Sequence, residues 1–228
     1  MIQEIKYFDK PVDYDRRGYN GGELAYYPGN DRLISGFMDN KDYYFQLTAI
    51  PDEKYGFISS RLVTKDTFAF KPPFRIKYSA YWRHASMAFY CPVWIFPLNR
   101  NLVCEFDSVE WHGGYPDYLL YSFHHTGSKC RVKEVGERPY DHVKISTTDK
   151  KTLSYPQDTF ELTVYDNIAI WKRNNKRVKI RFCRGLDMEY YLRSTVQVAS
   201  WAKNSNLPEI TKIRPALMQV HNLKFEQL

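Results

Sequence analysis

Helical periodicity is nearly absent from this chain. What recurs is short runs of aromatic and β-branched residues, broken by polar residues, Gly or Pro at strand-plus-turn spacing. Residues 43–50, closed by Pro51, form one such run, and 57–63, 74–81, 93–96 and 102–109 follow it. The series continues through 118–125, 159–165, 168–172, 178–182, 191–200 and 216–225. Ten or more strands with no linker, repeat or low-complexity stretch between them predict an all-β protein. So many strands bury their apolar faces by stacking two antiparallel sheets, as a sandwich or jelly roll. Topology does not follow from periodicity alone.

The composition supports a packed core, with 43% hydrophobic residues in 228 and only 11 Gly. Aromatic residues reach 17%, which suits strand surfaces and also supplies flat platforms for sugar rings. A net charge of +7 would attract acidic partners, but the basic residues are dispersed and no recognition motif appears, so a nucleic-acid partner is not expected. The one dense basic run, 172–177, reads as a solvated hairpin tip. None of the four cysteines sits in a zinc-binding spacing; Cys91 and Cys104 read as buried thiols, and any disulfide pairing stays open. No apolar stretch approaches the ~20 residues of a membrane span. The first residues lack the charged-then-apolar form of a signal peptide, so the compartment is not fixed by the sequence.

The most informative segment is Glu105-Phe106-Asp107-Ser108-Val109-Glu110. Side chains alternate along a strand, so Glu105 and Asp107 share a face, whereas Glu110 falls on the opposite one. One extra residue, a β-bulge at Ser108-Val109, would return Glu110 to the first face. Like charges this close raise at least one pKa, so that one carboxyl is ionised while another is protonated near neutral pH. Glycoside hydrolysis needs such a pair. At about 3.3 Å rise per residue the carboxyls stand roughly 5–7 Å apart, which suits a retaining mechanism. A solvated strand face or a calcium site would also present such acids, although calcium prefers loops that supply carbonyl oxygens.

The segment resembles the E-[ILV]-D-x-x-E signature of the family-16 glycoside hydrolases, which include laminarinases, lichenases, agarases and carrageenases. The flanks resemble that family in order. Gly56-Phe57-Ile58-Ser59-Ser60, Phe68 and Pro73-Phe74-Arg75-Ile76-Lys77 precede a Tyr90-Cys91-Pro92-Val93-Trp94-Ile95-Phe96-Pro97 segment that is similar to the family's W-P-A-F-W-L-L-P. Residues 159–172, 196–201 and 218–225 are similar to its later strands. The likeness runs from about residue 40 to the end and is weakest over 1–40. It implies a concanavalin A-like β-jelly roll made by 1–228 as one domain, with a concave sheet forming the cleft. By resemblance, Glu105 is the nucleophile, Glu110 the general acid/base and Asp107 the residue that tunes the nucleophile.

Trp94, Trp201, Tyr90 and Trp111 are candidates for stacking on sugar, and His124 for bonding Asp107 or the sugar; His125, on the other face, reads as structural. Arg75 stands where the family has a glutamate, and with Lys77, Arg83 and Arg100 it suggests an acidic or sulfated galactan in place of a neutral β-glucan. His221 replaces the aspartate that in many members helps bind a structural calcium, so no metal or cofactor is expected. The expected activity is endo-acting retaining hydrolysis of a β-linked polysaccharide by a monomer. The alternative is a non-catalytic carbohydrate-binding jelly roll, such as a virion structural or attachment protein; three retained like charges argue against it.

Overall fold

The computed structural model describes side chains over residues 44–50, 69–82, 93–99, 104–111, 119–125, 158–196 and 216–228, and strand pairing for further short segments. Among the described residues every regular element is a strand. In chain order these are Ile2–Glu4 (β1), Phe8–Asp9 (β2), Ile34–Asp39 (β3), Asp42–Asp52 (β4), Gly56–Ile58 (β5) and Ser60–Thr64 (β6). Phe74–Arg83 (β7), Phe89–Pro97 (β8), Leu102–His112 (β9), Tyr118–His125 (β10), Arg131–Val132 (β11) and Asp141–Ser146 (β12) follow. The last are Asp158–Val164 (β13), Ile168–Arg173 (β14), Lys176–Phe182 (β15), Tyr190–Val198 (β16) and Ala216–Gln227 (β17).

The strands form two antiparallel sheets. A nine-stranded sheet runs β15-β14-β13-β7-β17-β4-β3, with β1 added to β17 and β5 to β4. An eight-stranded sheet runs β12-β10-β9-β8-β16-β6-β2, with β11 added to β9. The expected two-sheet sandwich is therefore present. The run at 57–63 is not one strand: β5 pairs with β4 in the first sheet and β6 with β16 in the second, so the chain changes sheets between Ile58 and Ser60. Pro51 does not close the strand before it either, since it pairs with Phe57 inside β4.

Alternation sorts the two faces. In β7, Phe74, Ile76, Tyr78 and Trp82 are buried, while Arg75 is only partly so and Lys77 is exposed. In β9 and β10 the buried partners are Phe106, Trp111, Leu119, Tyr121 and Phe123. Phe106 stacks on Phe123 at 4.6 Å and meets Trp171 of the opposite sheet at 6.1 Å. Each large apolar side chain taken from water in this layer contributes about 2 kcal/mol, which makes the intersheet layer the main source of stability.

Asn174 and Asn175 join β14 to β15, both at positive φ (48° and 64°), the conformation a two-residue hairpin needs for its strands to twist correctly. The basic run is thus a hairpin tip with Asn174 to Arg177 exposed. Cys183 is a buried free thiol. Cys104, expected as a thiol, is buried and disulfide-bonded. Among the described residues no helix is long and apolar enough to cross a membrane.

Candidate active site on the eight-stranded sheet

The extra residue in β9 is where the acids require it. From Asp107 to Glu110 is three steps, whereas their partners on β10, Ser122 and Leu120, are two apart. On the other side Trp94 pairs with Asp107 and Val93 with Val109, so β8 takes one step while β9 takes two. The bulge lies at Ser108-Val109. Ser108 turns inward, where its Oγ accepts a 2.8 Å hydrogen bond from the Tyr78 hydroxyl of the opposite sheet. Glu105, Asp107 and Glu110 share the outward face.

The registers place these acids in rows. One row runs Arg193, Trp94, Asp107, Ser122 across β16, β8, β9 and β10. A neighbouring row holds Tyr191 beside Phe96 in β16 and β8, and Glu105 beside His124 in β9 and β10. His124 Nε2 lies 2.8 Å from Asp107 Oδ2. Glu110 accepts two hydrogen bonds of 3.2 Å, one from Trp94 Nε1 at Oε1 and one from Ser122 Oγ at Oε2. Asp107 is fully buried and Glu110 is 6% exposed.

Burial and crowding shift the protonation of this cluster. Burial, and then the Asp107 charge, push Glu105 up to about 8, against the opposing pull of His124 and Arg193. Burial raises Glu110 to about 7, and His124, the Ser122 hydrogen bond and Lys179 pull the other way. Burial disfavours a charged His124, but its ion pair with Asp107 and the nearby Glu105 and Glu110 outweigh this and raise it to about 10. The ring is therefore an imidazolium near neutral pH. Ligand atoms of Glu105, Asp107 and His124 lie within 4.8 Å of one another, close enough for a metal ion. A protonated His124 offers no lone pair there, so the ion-paired state and metal binding exclude each other.

Two supports come from the opposite sheet, and sequence reasoning had not found them. Trp171 Nε1 donates a 2.8 Å hydrogen bond to the Asp107 carbonyl at the start of the bulge. Lys179 is only 8% exposed, donates to the Tyr121 carbonyl at 2.8 Å and lies over the Trp171 ring at 4.9 Å. Burial lowers its pKa to about 8, against the pull of Asp107 and Glu110. It stands two residues past the basic run, in the stretch 178–182 that reads as a strand, and alternation with exposed Ile180 marks it as inward-facing.

Several expected sugar contacts are placed otherwise. Trp111 is 5% exposed and packs on Trp82 inside the sandwich at 6.0 Å, on the face opposite the acids, so it cannot meet a substrate there. Arg75 lies on the outer face of the nine-stranded sheet, paired with Glu226 at 2.8 Å and Glu161 at 3.6 Å, away from the acid face. Lys77 shares that outer face. Trp94 is on the acid face but 7% exposed, with the Arg193 guanidinium over its ring at 4.7 Å, and its indole N–H serves Glu110. Tyr90 is in β8 opposite His112 and Gln197, its side chain outside the described residues, as is all of Trp201. His125 is buried on the inner face, tilted against Phe123 at 4.6 Å.

His221 is 5% exposed and stacked on Tyr44 at 4.5 Å. A hard calcium ion takes oxygen ligands, and an imidazole packed this way does not fit one.

No family model and no curated protein matches the sequence. Solved structures do match. A family-16 endo-glucanase from Bacteroides ovatus superposes with TM-score 0.76 at 14% identity, over 98% of each chain. The laminarinase catalytic domain of Thermotoga maritima gives 0.71 at 17%, over 100% of this chain and 97% of that one. The Rhodothermus marinus laminarinase gives 0.72 at 16%, over 100% and 96%. The protein has the fold of the family-16 glycoside hydrolases.

Proposed function

We propose that the protein is an endo-acting retaining glycoside hydrolase that cleaves a β-linked polysaccharide. The observation that carries this reading is the bulge, which brings Glu110 onto the face that Glu105 and Asp107 already share. In the first step the ionised Glu105 carboxylate attacks the anomeric carbon while Glu110 gives its proton to the departing glycosidic oxygen. In the second, Glu110 takes a proton from water as that water displaces the sugar from Glu105. Between about pH 7 and 8 the two glutamates hold one proton between them. Burial and the Asp107 charge favour it on Glu105, and reaction proceeds from the less populated arrangement that has it on Glu110. Arg193 and the His124 imidazolium favour the charge on Glu105.

The structural neighbours are named as laminarinases and glucanases, which supports a β-glucan as the first substrate to try. An acidic or sulfated galactan is the other proposal, and Arg75 and Lys77 no longer support it. Glu105→Gln and Glu110→Gln should each lower kcat by about a thousandfold or more while the far-UV spectrum and unfolding transition stay cooperative. Reducing-end release from laminarin, lichenan and carrageenan is the measurement. Turnover of the most active glycan unchanged in Glu105→Gln would refute the assignment.

A further inference from the structure

Resting on that hydrolase reading, we propose that Arg193 is a specificity-determining residue that binds an anionic substituent, a carboxylate or a sulfate ester, on the sugar seated beside Glu105. Arg193 occupies the acid face of β16, in register with Trp94, which is itself in register with Asp107. Its guanidinium carbon lies 4.7 Å from the Trp94 ring centre and 5.6 Å from that of Phe96. Phe96 is further held by stacking on Tyr191 at 5.7 Å. Aromatic contacts of this kind fix the plane of a guanidinium while leaving its edge free, and that planar fork matches a carboxylate or sulfate.

Among the described residues Arg193 nonetheless has no protein acceptor. Its Nε is buried with no hydrogen-bond partner, and among the described residues no carboxylate lies within ion-pair distance of the group. Its effect on Glu105 is through space only. Two other arginines of the sandwich are paired with carboxylates: Arg173 with Asp158 at 2.7 Å and Arg75 with Glu226 at 2.8 Å. An ordered, half-buried and unpaired guanidinium on a binding face is a donor set held ready for a ligand.

The charge balance points the same way. In the reactive form Glu110 is protonated, leaving the Glu105 and Asp107 carboxylates against three cations, His124, Arg193 and Lys179. Among the described residues this leaves one positive charge in excess; His124 pairs with Asp107 and Lys179 donates to the Tyr121 carbonyl, whereas Arg193 has no protein acceptor. A neutral sugar could bond its N–H groups but would leave that charge uncompensated.

The test reads binding without turnover, in the Glu110→Gln background, by calorimetry at about 50 mM and 300 mM salt. The probes are oligosaccharides of laminarin and agarose, each in neutral, C6-carboxylated and sulfated form. The expected result is that at least one anionic form binds about tenfold more tightly than its neutral counterpart at low salt. Adding Arg193→Gln should abolish that contrast while neutral affinities move less than about twofold, with Arg193→Lys between the two. A contrast confined to the carboxylates or to the sulfates assigns the source of the charge. Equal binding of neutral and anionic forms, or a contrast that survives Arg193→Gln, overturns the proposal. If Arg193→Gln fails to fold, Arg193→Lys decides, since it keeps the charge and loses the fork. Loss of the contrast touches Arg193 alone, whereas turnover surviving in Glu105→Gln touches the hydrolase reading alone.

Discussion

Glu110 receives hydrogen bonds from Trp94 and Ser122, and donors of this kind stabilise a carboxylate over its acid. They therefore work against burial, which favours the protonated form a general acid needs. A group poised at about 7 is the balance of the two. Ser122→Ala removes one donor, so the Glu110 pKa rises. On the hydrolase reading the general acid titrates below the nucleophile, about 7 against about 8, so the acid limb of the kcat/KM profile follows Glu110 and moves to higher pH. The alkaline limb follows Glu105 and should stay nearly in place, because Ser122 does not act on Glu105. Rates across pH 5 to 10 would check this, and an acid limb moving down would contradict it. At this scale the shared face of the three acids was legible from alternation and spacing, which are local properties, whereas His124 as a partner for Asp107 or the sugar came from the resemblance to the family. The roles of Trp94, Trp111 and Arg75 were not legible. An aromatic or basic side chain on a strand carries no mark of which sheet it belongs to, and Arg193 over Trp94 depends on two strands about a hundred residues apart in sequence meeting in register.

At the scale of elements, β9 carries the site because it is irregular. A bulge lengthens one strand against two partners, and its geometry holds only if neighbouring groups keep it from relaxing. Trp171 and Tyr78, on β14 and β7 of the opposite sheet, bond the Asp107 carbonyl and the Ser108 hydroxyl from beneath. Trp171→Phe leaves a buried carbonyl without its donor and should cost about 1–3 kcal/mol of stability. If Trp171 also positions the bulge, kcat should fall about tenfold or more with KM little changed, because Glu105 and Glu110 would no longer flank the scissile bond correctly. Tyr78→Phe removes the second support and should act in the same direction more weakly. Steady-state kinetics alongside thermal unfolding separate the two effects; a stability loss with unchanged kcat would make Trp171 purely structural. Most strands were legible in their aromatic and β-branched runs. The crossing from β5 to β6 was not, because an apolar run that changes sheets between Ile58 and Ser60 looks the same as one that continues.

At the scale of the whole molecule, the sandwich buries ionisable groups on and beneath one sheet, and their protonation is linked to folding. Glu105 and Glu110 have folded pKa values raised from 4.5 to about 8 and about 7, so the native state binds protons there more strongly than the unfolded chain. The stability tied to each is fully present below about pH 4.5 and is lost as pH rises through those folded values. His124, raised from 6.5 to about 10, has the same sign, with its window between those two values. Lys179, lowered from 10.5 to about 8, has the opposite sign, and its window lies above pH 8. Between pH 5 and pH 8 every active contribution, from the two glutamates and above pH 6.5 from His124, therefore has the same sign. The melting temperature should fall across that interval by roughly 5 °C or more, and flatten above it where Lys179 offsets His124. Glu105→Gln removes the largest of these contributions. At pH 8 it should melt higher than the unsubstituted protein, by an amount that shrinks towards pH 4.5, where the glutamate is protonated in both states. Scanning calorimetry of both proteins from pH 4.5 to 9 measures it. A melting temperature that climbs from pH 5 to 8, or a Glu105→Gln protein equally destabilised at every pH, would mean that the acid face is solvated and relaxed. A face that gains stability by losing the Glu105 carboxylate is holding that charge at a cost to the fold, as a site selected for reaction would.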